Sequence, residues 1–392
     1  MKITQPIYKT VSLFSGGLGL DVGMKLVQRF DLLLCVEKVP AFCETIRANK
    51  ASGKLPATLK VIEADIKTLD PAKIRDELGL KPGDLDVLVG GPPCQSFSTA
   101  GKRGTVQDPR GTLRWDYLRC VEAFHMDCFE VNSVNYGAPQ IRERAIFVGN
   151  RYNAVVDFPN PTHGHSREED GTFDGMLFGQ SQLKPWRTLR DAIGDLHEPE
   201  PVVLDFSPRK KSFLNMVPPG SNWRSLPEEI QRESMGAAWH AKGGRSGWWR
   251  RLTMDLPCPT LVTMPNHAST SLCHPTETRA LSLREYARIQ EFPDDWKFCG
   301  TTAEKYAQVG NAVPVCLAKV SGEIIAKHLD ILRDRDWQPF VKPVEPLRKV
   351  YVQSHVRTRN WFKDGETCVW KDDGDTPAYS APKTIRKVST LT

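Results

Sequence analysis

Four short apolar runs, each followed by a turn and most by an amphipathic stretch, constrain this chain more than any other feature. Thr10-Val11-Ser12-Leu13-Phe14 reads as a buried strand and ends in the glycine turn Ser15-Gly16-Gly17-Leu18-Gly19. A helical pattern follows to about Arg29. A second strand, Leu32 to Val36, ends at Glu37 and precedes a helical Val39 to Asn49. Val61 to Asp65 and Asp86 to Val89 read as third and fourth strands, the last running into Gly90-Gly91-Pro92-Pro93-Cys94. Strands alternating with helices pack as a parallel, doubly wound α/β sheet.

Further along, Leu113 to Phe124 reads as helix. Phe129 to Val134 and Ala145 to Val148 read as strands joined by a loop around Tyr136-Gly137-Ala138-Pro139-Gln140. From His197 to Thr278 proline, tryptophan and basic residues rise, which marks a second domain. Amphipathic helix returns at Ser282 to Phe292 and Ala312 to Leu332, and prolines and charges after Trp337 read as an appended tail. The division expected is therefore 1–196 completed by 282–332, then 197–281, with 333–392 as extension. At 392 residues there is enough chain for two cores. Lys+Arg 53 against Asp+Glu 47 gives a net +6, a bias compatible with a nucleic-acid partner but too small to prove one. The 10 cysteines form no close pair of the kind zinc or redox motifs need, and histidines such as His163 and His165 lack ligand spacing. No run approaches about 20 apolar residues, and no secretory segment opens the chain. A soluble cytoplasmic protein with no membrane and no metal is expected.

A strand that feeds a glycine-rich bend and then a helix lets a ligand approach the backbone where helix N–H groups are unsatisfied. Glu37 follows Gly17 by about 20 residues, the spacing at which a carboxylate grips a ribose diol. Asp65, expected at the same sheet edge, lies within reach of an adenine. Together they suit a nucleoside-bearing cofactor; the plainer alternative is an ordinary turn with acids exposed at strand ends. Cys94, behind two prolines that stiffen the backbone, is a nucleophile if a cation or N–H groups favour its thiolate, and otherwise a structural thiol. In Gln140-Ile141-Arg142-Glu143-Arg144 the arginines alternate, so an extended chain puts both on one face, as solvated charges or as a fork for a carbonyl.

These segments together resemble the DNA cytosine-5 methyltransferases of bacterial restriction–modification systems, from about Thr10 to Leu329. Phe14-Ser15-Gly16-Gly17-Leu18-Gly19 matches the first cofactor motif, and Pro93-Cys94-Gln95 with Ser96-Phe97-Ser98 matches the catalytic loop. Asp108-Pro109-Arg110-Gly111-Thr112-Leu113, Gln140-x-Arg142-x-Arg144 and Arg187-Thr188-Leu189-Arg190-Asp191-Ala192-Ile193 follow in the family's order. Arg288-Ile289-Gln290-Glu291-Phe292-Pro293 and Gly310-Asn311-Ala312-Val313-Pro314 match the closing motifs. The resemblance implies a Rossmann-like S-adenosylmethionine-dependent fold with a smaller target-recognition domain. It implies S-adenosylmethionine as cofactor, with S-adenosylhomocysteine as product, and double-stranded DNA as partner, beside a restriction endonuclease acting on the same site. By the same resemblance Cys94 adds to the base, and Arg144, with Arg142 beside it, meets the cytosine carbonyl. Phe14, Gly16, Gly17, Leu18, Glu37, Asp65, Ile66, Pro93, Leu113 and Asn311 surround the cofactor, and Gln95 and Ser98 meet DNA.

One departure stands out. The family places a strand ending in Glu-Asn-Val, then a helix, before the arginine motif, and its glutamate helps the thiolate add. Here His125 runs almost directly into Met126-Asp127-Cys128-Phe129, and too few residues separate Cys94 from Gln140 to hold that unit. Glu130 in Glu130-Val131-Asn132 is the alternative acid, although Phe129 to Gln140 aligns with the strand leading into the arginines. A sheet deprived of a central strand should leave apolar neighbours uncovered, so poor methylation is expected. In the second domain Arg209-Lys210-Lys211, Trp239, His240, Lys242, Arg245, Trp248, Trp249, Arg250 and Arg251 interleave cations with aromatics. They read as a phosphate-neutralising surface with Arg245 and Arg250 at DNA, or as core tryptophans among solvated charges. A nicotinamide oxidoreductase would share the glycine turn and Glu37 but leaves Cys94 and the arginines unexplained; an RNA-directed relative and an inert DNA-binding one are the other rivals.

Overall fold

The computed structural model describes residues 5–92, 125–152, 154–164, 183–240, 247–334 and 348–351. The first strand, β1 (Tyr8–Leu13), lies between β2 (Phe30–Glu37) and β4 (Val87–Gly90), with β3 (Lys60–Glu63) outside β2, all parallel. The expected doubly wound half-sheet is therefore present. Helices α1 (Gly19–Leu26), α2 (Pro40–Ala51) and α3 (Pro71–Glu77) connect it. Proline opens α2 and α3, where its missing N–H costs nothing, and the Asp70 carboxylate accepts from the Ala72 N–H to cap α3. Two boundaries differ from expectation. β3 stops at Glu63, and Asp65 instead caps a short 3-10 turn at Ile66–Thr68. α1 stops at Leu26, and Arg29 beyond it is buried in an ion pair with Asp330 at 2.5 Å.

Next, β5 (His125–Asn132) runs antiparallel to β7 (Glu143–Asn150), with β6 (Gln140–Ile141) between them in sequence. The expected strand at Phe129–Val134 thus begins earlier and ends sooner, because Asn132 caps a 3-10 turn at Ser133–Tyr136. A small pair, β8 (His163–Gly164) and β9 (Lys184–Pro185), precedes α4 (Leu189–Ile193), and α5 (Pro208–Leu214) and α6 (Glu228–Met235) follow. β10 (Cys258–Pro259) pairs with β6. The chain then enters α7 (Leu283–Ile289), α8 (Thr302–Asn311) and α9 (Val315–Asp334). Neither α3 nor α8 was legible as a helix in the sequence. β11 (Arg348–Tyr351), within the segment expected to be a mere tail, adds parallel to β5.

Among the described residues the two large sheets, β3-β2-β1-β4 and β11-β5-β7, are not hydrogen-bonded to each other. Phe147 on β7 is 58% exposed, a large apolar side chain left at the surface. α9 packs against both sheets: Leu317 and Ile324 meet Phe129 and Val131, while Ala326 meets Tyr8, Val87 and Val89. A separate cluster around Phe213, Trp223 and Trp249 forms the core of the second region, yet Leu252, Cys258 and Leu261 pack into the main core with Leu18 and Tyr306. No single helix among the described residues is long and apolar enough to cross a membrane.

Two glycines in α1 set how close α9 comes. A Cβ on Gly19 would fall 2.5 Å from the Val313 carbonyl, and one on Gly23 would overlap the Val315 carbonyl and Ala318 Cβ. Gly23→Ala should therefore destabilise the protein by roughly 1–3 kcal/mol through overpacking, read as a lower urea midpoint. An unchanged midpoint would show that α1 and α9 have slack.

Candidate active site

The turn after β1 is strained in the way ligand sites often are. Phe14 (φ 53) and Leu18 (φ 68) both occupy the left-handed region without being glycine, alongside Gly16 (φ 54). The Leu18 side chain is fully buried in the main core, so only its backbone remains for a ligand. From the end of β2, Glu37 reaches back: Oε2 accepts from the Gly16 N–H at 2.8 Å, and Oε1 accepts from the N–H groups of Lys38 and Val39. Asp65 accepts from Lys38 Nζ at 2.7 Å and from the Lys67 N–H, and the Lys38 ammonium holds its carboxyl below the usual range. Ile66 is buried beside it. Gly17 rests on Gln308 of α8, where a Cβ would lie 3.2 Å from Gln308 Cβ, so the end of α8 with exposed Asn311 closes the same rim. Phe14, Gly16, Gly17, Glu37, Asp65, Ile66 and Asn311 are thus brought together at the strand tips.

The two arginines part company. The chain breaks between β6 and β7 at Arg142, which is 2% exposed and donates from Nη1 to the Leu261 carbonyl at 2.9 Å and from Nη2 to the Gly310 carbonyl at 2.6 Å. Arg144 is half-buried on β7, and its Nη1 donates to the Glu143 carbonyl. A shared arginine face is therefore not what the fold builds. Glu130 sits mid-strand on β5, opposite Ala145 on one side and Tyr351 on the other.

Arg250 is corrected by the structure. It was expected at DNA, but it is 9% exposed, with Nε donating to the Ser271 carbonyl at 3.2 Å, and burial lowers its pKa. The turn that carries it buries Trp249 in the second cluster and pairs Arg251 with Cys273, which turns both arginines inward. The cations left at the surface include Arg209, which lies over the Phe213 ring. Pro93, Cys94, Gln95, Ser98, Leu113 and Arg245, and the expected helix at 113–124, lie outside the described residues.

A model of the C-5 cytosine-specific DNA methylases matches residues 8–130 and 124–327. The chain belongs to that family. M.Eco47II, a Type II methyltransferase of Escherichia coli, is 34% identical over 85% of this chain and 82% of its own. M.Sau96I of Staphylococcus aureus is 35% identical over 82% and 76%. A crystal structure described as a prophage-encoded DNA modification methyltransferase of E. coli shares the fold, with a TM-score of 0.51 at 21% identity over 83% of this chain and 99% of that one. The family match falls into two pieces that overlap at 124–130. The alignment with M.Eco47II runs over 374 positions while drawing on 85% of this chain, so that relative carries residues with no counterpart here.

Membership of this family implies S-adenosylmethionine-dependent methylation, and the rim has features that fit such a cofactor. A Cβ on Gly16 would meet nothing nearer than the Phe14 carbonyl at 3.9 Å, so the turn is open there. Beside Gly17, Gln308 Oε1 is buried with no hydrogen-bond partner among the described residues. Asp21 stands in the first turn of α1 above Ser12 and Cys35, a setting the sequence did not single out.

Burial pushes the Asp21 carboxyl up to about 7 from an ordinary 3.8. Between about pH 4 and 7 the folded protein keeps a proton that the unfolded chain has released. Stability contributed by this group therefore falls as pH rises through that window and levels off above it. Asp21→Asn removes the titration, so relative to wild type it should gain on the order of a few kcal/mol between pH 4 and pH 8. Urea unfolding at the two pH values checks this; parallel curves for the two proteins would refute it.

Proposed function

We propose that this polypeptide transfers a methyl group from S-adenosylmethionine to carbon 5 of a cytosine flipped out of duplex DNA, through a transient bond to Cys94. What carries the reading is the assembly of the strained glycine turn, Glu37 and the end of α8 at the strand tips of a chain in this family. Glu37 would take the ribose hydroxyls, and Asp65 and Ile66 the adenine edge. Phe14, Gly16, Gly17, Leu18, Pro93, Leu113 and Asn311 would line the remainder. Bound S-adenosylmethionine supplies an electrophilic methyl group and leaves as S-adenosylhomocysteine.

Carbon 5 of cytosine is a poor nucleophile, which sets the work for this chain's residues. The Cys94 thiolate adds to carbon 6, and the electron pair of the ring double bond moves to carbon 5, which can then attack. Arg144 donates to the base carbonyl as negative charge develops there. Afterwards a base takes the proton from carbon 5, and the pair left behind re-forms the double bond and expels the thiolate. The stacked target must first leave the duplex, which Gln95 and Ser98 of the catalytic loop would assist, with Arg245 of the second domain at the phosphates. Relatives named as Type II methyltransferases support a companion endonuclease reading the same site.

A second reading has its own support: cofactor and DNA are bound, but turnover is slow. The family match comes in two pieces that overlap at 124–130, and the sheets that a central strand would join are not hydrogen-bonded to each other among the described residues. The acid that would assist thiolate addition belongs to the Glu-Asn-Val unit missing between His125 and Met126.

Duplex DNA carrying 5-fluorocytosine separates an enzyme from an inert binder, because fluorine cannot leave as a proton does. With S-adenosylmethionine, a denaturation-resistant complex should form and be lost in Cys94→Ser; persistence in the variant would exclude Cys94 as nucleophile. Restoring a strand ending in Glu-Asn-Val and the helix after it should raise tritiated-methyl transfer to plasmid DNA by about 10²-fold or more, the usual contribution of a placed acid. Equal rates with and without the unit would remove the second reading.

A further inference from the structure

The guanidinium of Arg142 is where distant parts of the chain meet, and none of the steps above uses it. Its two terminal nitrogens donate to the Leu261 and Gly310 carbonyls, and its own N–H donates to Asn132 Oδ1 at 3.0 Å. Two residues earlier, fully buried Gln140 repeats the pattern. Its Nε2 donates to Gln290 Oε1 at 2.6 Å and to the Ile289 carbonyl, and its Oε1 accepts from the Leu261 N–H at 3.4 Å. Gln290, also fully buried, donates in turn to the carbonyls of Val309 and Ala312. Leu261 is thus held by both of its backbone groups from one short stretch. That grip extends to the next residue, since a Cβ on Gly310 would fall 2.7 Å from the Val262 carbonyl.

We propose that Arg142 is a positioning residue, which locks the 258–262 segment to the cofactor rim at 309–312 and so sets cofactor affinity without touching the base. The inference rests on the cofactor reading above for its affinity arm only. A buried cation that faces carbonyls is tolerated only while those carbonyls stay in place. The rigid, planar fork presents its nitrogens at a fixed spacing, so it fixes the two carbonyls relative to each other. Gly310 immediately precedes Asn311, the residue expected at the cofactor, and 258–262 leaves the second cluster through Trp249 and Leu252. A displacement of either segment would strand a donor or an acceptor in the core.

The test combines calorimetric binding of S-adenosylhomocysteine with amide hydrogen exchange on Arg142→Gln and Arg142→Lys. Arg142→Gln should weaken S-adenosylhomocysteine by about tenfold or more. It should also speed exchange at both 258–262 and 309–312 while β1 and β2 keep wild-type protection. Lysine keeps the charge but lacks the fork, so it should fall between, and it carries the test should the glutamine variant fail to fold. By contrast Arg144→Gln should reduce covalent-complex formation without altering exchange at either segment. Unchanged affinity and exchange in the Arg142 variants would overturn the proposal, as would faster exchange spread evenly over the molecule. A wild-type protein that does not bind S-adenosylhomocysteine would sink the cofactor reading, while the exchange pattern would still decide the placement of Arg142.

Discussion

Everything at the strand tips depends on how closely α1 and the glycine turn approach the end of α8 and the start of α9. Gly19 and Gly23 meet Val313 and Ala318 with no room for a Cβ, and Gly17 meets Gln308 with little. This contact joins the first strands of the chain to its last helices and carries Asn311 to the turn that Glu37 buttresses. Side chains at those glycines would push α8 and α9 off the sheet. The rim would open, and the apolar seam that α9 shares with both sheets would lose its fit.

A second constraint is polar. Gln140, Arg142 and Gln290 form a dry hydrogen-bonded knot that ties β6, the segment after β10, and the ends of α7 and α8. Each member satisfies a backbone group that would otherwise be stranded, so the knot specifies one arrangement of four segments far apart in sequence. It also explains why the two arginines of one motif have different fates. Arg142 is spent on architecture, whereas Arg144, beyond the strand break, keeps an outlook on solvent.

The split between the two sheets has a physical sense in the same terms. In a doubly wound sheet each strand covers the edge of the next. Among the described residues α9 packs on both halves. Phe147 is exposed on β7, and the two pieces of the family match overlap at 124–130, at the start of the neighbouring β5. On the second reading, the proposed chemistry asks most of this place.

Local pattern made the parallel half-sheet, the glycine turn and the place of Glu37 at the end of β2 legible, since strand period, turn glycines and the acid's spacing are all short-range properties. The same holds for family membership, which rests on short motifs kept in order. Burial of charge was not legible. Arg250 and Arg142 look like any other arginines along the chain, and only the folding of Ser271, Leu261 and Gly310 around them decided that they face carbonyls inside the protein. Asp21, in the first turn of α1, is likewise buried beside Ser12 and Cys35 with nothing local to announce it. What a residue can donate or accept is written in the sequence; whether water or a carbonyl answers is settled by segments that only the fold brings near, 119 and 168 residues away for Arg142 and 21 for Arg250.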